Sequence, residues 1–105
     1  MAQWDVYDNP SPRARADFPF LVDVQNNLLA QLGTRFVIPL AADAATAPRL
    51  PRRLSPTFEI NGLRVLAVPH ESGPVDASVL RRPVVSLRDQ AHLLIDALDA
   101  VISGV

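Results

Sequence analysis

Phe20-Leu21-Val22-Asp23-Val24-Gln25 and Arg35-Phe36-Val37-Ile38-Pro39-Leu40 decide how this chain folds. Branched and aromatic side chains dominate the first segment, a composition suited to a pleated sheet. Side chains alternate along a strand, so Phe20, Val22 and Val24 share one face while Leu21, Asp23 and Gln25 share the other. Asp23 therefore interrupts an apolar strand, and a sheltered carboxylate must find hydrogen bonds or a cation. Arg35, on the next strand, is the natural partner. A satisfied carboxylate that fixes local geometry outweighs a catalytic acid here. The second segment is apolar almost throughout, and Pro39, which has no N–H for a ladder, places its end at an edge or a bulge. Between the two segments, Asn26-Asn27 favours a turn. Leu28-Leu29 forms an extended apolar pair among polar residues, and Gly33 supplies a further bend.

Upstream, Gln3 to Tyr7 alternates as a short strand, and the prolines at 10 and 12 make Asp8 to Asp17 an exposed, mobile loop. Downstream, Ala41 to Pro56 is a long excursion rich in alanine, proline and arginine. Thr57–Ile60 and Leu63–Val68 flank Asn61-Gly62, a strong hairpin signal. His70 to Asp76 reads as loop and Ala77 to Leu80 as one more short strand. Leu87, Ala91, Leu94, Leu98, Val101 and Ile102 then recur at helical spacing. Ser86 with Asp89 resembles a capping box at the start of this helix, and Gly104 sits where it should stop.

A length of 105 residues suits a single domain spanning 1–105, and 49% hydrophobic with 20% charged residues is ordinary globular usage. All ten basic residues are arginine and the net charge is −1, which argues against nucleic acid as the main partner, since that binding needs a cationic excess. Arg49, Arg52, Arg53, Arg81 and Arg82 are left as candidates for a local patch. Cysteine is absent, so no disulfide framework or thiolate zinc site is expected. Neither a signal peptide nor a stretch of membrane-spanning length is read, and the expectation is a soluble cytoplasmic protein. His70 and His92 have acidic neighbours, but solvated histidines are far commoner than ligands or bases. Asp96 and Asp99 fall in the last turns of the helix, where negative charge opposes the dipole by up to roughly 1 kcal/mol. Exposure to water or an arginine-bearing partner accounts for them equally well. No phosphate loop, nucleophile elbow or metal-ligand spacing occurs, so no catalytic residue, metal or cofactor is assigned.

The Val-Asp-Val-Gln strand, the apolar pair Leu28-Leu29, Gly33 and the Arg-x-Val-Ile-Pro-Leu strand together resemble the CcdB family of toxins. Val6-Tyr7 fits too, as does Ser86-Leu87 entering a last helix that ends in glycine plus an aliphatic residue. The likeness covers nearly the whole length. It implies a mainly β fold: an SH3-like antiparallel barrel with a small wing sheet and one C-terminal α-helix, assembled as a homodimer. It further implies a non-enzymatic toxin of a toxin–antitoxin pair, which binds the A subunit of DNA gyrase, traps the cleaved DNA complex and is neutralised by a small antitoxin. The gyrase contact would fall on Ser103, Gly104 and Val105, and the antitoxin contact on Leu28, Leu29 and Asp99. One departure stands out: the family ends in Trp-Gly-Ile, whereas this chain has Ser103 at the Trp position. An aromatic anchor is worth about 2 kcal/mol or more, so losing both copies from a dimer would cost roughly 4 kcal/mol, or about a thousandfold. A degenerate homologue that dimerises and binds antitoxin without poisoning gyrase is the alternative. An endoribonuclease like the MazF/Kid toxins, which share the barrel, is a weaker one, because the balanced charge offers no basic groove and no acid–base pair stands out.

Overall fold

The computed structural model describes residues 2–42 and 50–104. The two deciding segments pair with each other: β2 (Phe20–Asp23) runs antiparallel to β3 (Thr34–Ala42), with Val22 opposite Ile38 and Asp23 opposite Val37. β1 (Asp5–Asp8) takes the other edge of β2, and β7 (Pro83–Ser86) closes onto β1. The far edge of β3 is shared: β6 (Gly73–Asp76) pairs with residues 34–37, and β5 (Leu63–Ala67) with 40–42. β4 (Thr57–Ile60) completes a hairpin with β5. The result is a curled antiparallel half-barrel followed by a single C-terminal helix, α1 (Ala91–Ser103), in keeping with the mainly β fold that the resemblance implies.

The alternation read from Phe20–Gln25 sorts the two faces of the sheet. Val6, Phe20, Val22, Val24, Ile38 and Leu40 join Phe58, Ile60, Val65 and Leu94 in the main core. Tyr7, Leu21, Val37 and Leu80 form a smaller cluster. The Asn61-Gly62 hairpin is present, with both residues at positive φ, +51° and +81°. That is the backbone of a two-residue primed turn, whose twist matches the flanking strands.

Several local expectations differ from the structure. Pro39 lies within β3, not at its end, and its carbonyl accepts from Val68 N–H on the side facing β5 and β6. Its missing donor thus falls in the gap between the last β6 pairing and the first β5 pairing, where no ladder bond is forfeited. The first strand starts at Asp5 because Trp4 adopts φ +77°. Leu28-Leu29 is not extended but belongs to a 3-10 turn, Asn27–Leu29, capped by the Asn26 side chain. The segment read as loop holds β6, and the strand expected over Ala77–Leu80 is a 3-10 turn, Ala77–Val79, capped by Asp76. β7 went unread because Arg81-Arg82-Pro83 resembles loop composition. Ser86 does not cap α1: its Oγ accepts from Arg88 N–H ahead of a 3-10 turn, Arg88–Gln90. The face α1 buries is Leu94, Ala97 and Ala100, while Val101 and Ile102, which share helical spacing with Leu94, are exposed. Asp8–Asp17 is mostly exposed but carries a buried anchor: Asn9 donates to Phe18 O and accepts from Ser11 N–H and Arg15 Nε. Much of the 41–56 excursion, including Arg49, lies outside the described residues. No helix among those described is long and apolar enough to cross a membrane.

Candidate functional site

The Val-Asp-Val-Gln strand carries a buried polar network. Asp23 is 0% exposed and Arg35 1%. Arg35 donates from Nε to Asp23 Oδ2 at 2.7 Å, and its Nη2 lies 2.7 Å from the same oxygen. The other carboxylate oxygen, Oδ1, accepts from Gln25 N–H at 3.0 Å, and Arg35 Nη2 also reaches Gln25 O at 3.4 Å. Burial pushes the Asp23 carboxyl above its ordinary pKa, and the hydrogen bonds from Arg35 and Gln25 oppose that rise. Burial likewise raises the pKa of Tyr7, helped by the charges of Asp5 and Asp23. The Tyr7 hydroxyl has no hydrogen-bond partner among the described residues. Sealed from solvent and neutralised by Arg35, Asp23 cannot meet a substrate. It fixes geometry, as the reading of the strand expected.

What the network positions is a surface. The Gln25 side-chain amide donates to Leu29 O at 3.0 Å and to Thr34 O at 3.1 Å, while its oxygen accepts from Phe36 N–H at 3.0 Å. One buried glutamine therefore ties the Asn27–Leu29 turn to the start of β3. Leu28, held on this turn, is 90% exposed and Leu29 49% exposed. Leu32 and Phe36 extend the exposed apolar character on either side of Gly33. Leu32 carried no signal in the sequence. Phe36 has the same parity as Ile38 and Leu40, yet it is partly exposed near the start of β3 and lies outside the main core.

The second set of candidates is at the end of α1. Gly104 takes φ +80° and donates its N–H to Ala100 O, ending the helix as expected. Ser103 does not reach outward: its Oγ donates back to Asp99 O at 2.8 Å. Asp99 is exposed and lies 3.6 Å from Arg53 Nη2, so the chain itself supplies an arginine to offset the dipole penalty. An exposed pair of this kind contributes roughly 0–1 kcal/mol. Ile102, 88% exposed, and Ile95 add apolar area along the same helix. Val105 lies outside the described residues. Among those described, no hydrogen bond or ion pair joins the Leu28-Leu29 turn to the end of α1, so the two sets sit on separate elements.

The remaining arginines do not form one patch. Arg52 and Arg53 line a cleft of about 480 Å³ with Leu93 and Asp96, and Arg81 and Arg82 line another of about 550 Å³. His70 and His92 are both exposed, and no cluster of metal-ligating side chains exists among the described residues.

A buried Asp–Arg–Gln network supporting an exposed leucine turn, on a curled half-barrel that ends in one helix, accounts for each motif that suggested the resemblance. No curated protein matches the chain in sequence. The family model described as CcdB protein matches residues 3–104. With nearly its whole length covered, the chain belongs to the CcdB family, the toxin halves of toxin–antitoxin pairs.

Proposed function

We propose that this protein is a cytoplasmic, homodimeric, non-enzymatic toxin that binds the A subunit of DNA gyrase and traps the cleaved DNA complex, and that a small antitoxin neutralises it. Gyrase meets Ser103, Gly104 and Val105, and the antitoxin meets Leu28, Leu29 and Asp99. The observation that carries this reading is apolar surface presented on ordered elements: Leu28 at 90% exposure with Leu29, Leu32 and Phe36 also exposed in the same stretch, and Ile102 at 88% with Ile95 and Val101 exposed on the same helix. The sealing of Asp23 supports the non-enzymatic part, because it removes the one carboxylate with a catalytic reading. Dimerisation would cover part of the remaining apolar area.

Ser103 favours a second reading, a homologue that dimerises and binds antitoxin without poisoning gyrase. Its hydroxyl is satisfied within its own helix and offers a partner almost no apolar contact. Expression in a host carrying the cognate gyrase, beside an isogenic host with a resistant gyrase, separates the two. The proposal predicts growth arrest only with sensitive gyrase, relieved by the antitoxin, and a dimer at micromolar concentration by sedimentation. Antitoxin binding with no arrest in either host establishes the second reading. A monomer, or equal arrest in both hosts, overturns the first.

A further inference from the structure

A cleft of about 550 Å³ opens between the loop after β1 and the turn after β6, lined by Asp8, Pro10, Arg15, Val79, Arg81 and Arg82. Its size is that of a small-molecule site, commonly 300–1,000 Å³. Three arginines face one carboxylate there, in a chain whose net charge is −1. Arg81 and Arg82 make no ion pair among the described residues. Arg15 uses its Nε on Asn9 O, which leaves the outer nitrogens of its guanidinium for a ligand.

Both walls are anchored. Asn9, buried, pins the loop that carries Arg15. On the other side, Asp76 Oδ1 accepts from Ser78 N–H at 2.9 Å and Ser78 Oγ at 2.7 Å, and these bonds hold the Asp76 carboxyl below the usual carboxylate range. The turn they cap leads into Leu80, buried in the smaller core cluster, and Arg81-Arg82 follows at once. The cations are thus displayed from fixed backbone rather than from a free loop.

We propose that this cleft binds a nucleoside polyphosphate. Guanidinium forks match phosphate oxygens in pairs, which suits Arg15, Arg81 and Arg82 to the phosphates. Pro10 and the exposed face of Val79 give a base an apolar wall, and Asp8 accepts from a ring N–H or a ribose hydroxyl. A long polyanion is disfavoured because the charge excess is local: beyond the cleft the chain is net negative. The site is separate from the leucine turn and the helix end, so it stands whether or not gyrase is the target.

The test is calorimetric titration of the full-length protein with ATP, adenosine, inorganic phosphate and a single-stranded oligonucleotide, at low salt and without divalent cations. ATP binds saturably, adenosine at least tenfold more weakly, and Arg81→Gln/Arg82→Gln weakens ATP at least tenfold. Arg52→Gln/Arg53→Gln, in the other cleft, leaves ATP binding unchanged and controls for general charge. Absence of ATP binding, or equal binding by the Arg81/Arg82 variant, overturns the proposal. Inorganic phosphate as tight as ATP, or an oligonucleotide tighter than ATP, overturns the choice of ligand.

Discussion

Asp23→Ala is expected to lower the free energy of unfolding by about 3–5 kcal/mol, because it leaves the Arg35 guanidinium buried without its counter-charge. The substitution also removes the acceptor for Gln25 N–H, and a buried donor left unsatisfied costs about 1–3 kcal/mol by itself. These losses share one network and do not simply add. Against a domain stability of about 5–15 kcal/mol, the change removes a large share, and at the lower end of that range it leaves a substantial fraction of the protein unfolded. The contrast that isolates the cause is a double variant. Asp23→Leu/Arg35→Met replaces both charges with apolar groups and avoids the unpaired cation, so it should recover most of the loss. Urea unfolding of the three proteins at one protomer concentration is the measurement. A cost below about 1 kcal/mol for Asp23→Ala, or a double variant no more stable than the single, means that the pair is not what holds these strands together.

Leu28→Asp with Leu29→Asp is expected to weaken antitoxin binding by on the order of a thousandfold, from two anchors worth about 2 kcal/mol each. Both residues lie on an exposed 3-10 turn and are absent from the core, so stability should stay within about 0.5 kcal/mol of wild type. The pairing of lost affinity with unchanged stability is the signature of a docking surface. Tight antitoxin binding by the double variant moves the antitoxin site elsewhere. Gln25→Ala tests the other half of the idea. It releases the tie between Leu29 and the start of β3, so it should weaken the antitoxin while Leu28 and Leu29 remain in place.

The residues most legible in the sequence were those whose chemistry is local. Val-Asp-Val-Gln alternates, so the two faces of β2 and the burial of Asp23 against Arg35 followed from the period of a strand and the cost of a bare carboxylate. Asn61-Gly62 specified its hairpin for the same reason, since few dipeptides tolerate two successive positive φ angles. Less legible were features set by tertiary pairing. Gly73-Pro74-Val75-Asp76 has the composition of a turn, and it becomes β6 only because the first half of β3 leaves an edge open to it. The Leu28-Leu29 turn could be read as apolar and surface-prone, but not that Gln25 holds its carbonyl. Helical spacing found α1 and put Val101 and Ile102 on one stripe with Leu94, yet both are exposed, because periodicity names a stripe without saying where the sheet beneath it ends. The cleft of Arg15, Arg81 and Arg82 joins segments more than sixty residues apart: Arg81 and Arg82 stood out as candidates for a patch, but nothing in the sequence tied Arg15 to them.

The central claim is that the end of α1 is the surface that engages gyrase, and titration calorimetry against fragments of the gyrase A protein tests it most directly. With the fragment from the protein's own host, wild type should bind saturably, and a chain truncated after Ser103 should not. With a fragment adapted to the terminal aromatic, wild type should bind weakly, and Ser103→Trp should gain at least tenfold, about 1.4 kcal/mol, because it restores the apolar anchor that serine lacks. Binding to the host fragment that survives truncation, or no binding to either fragment by wild type and Ser103→Trp alike, would contradict the account.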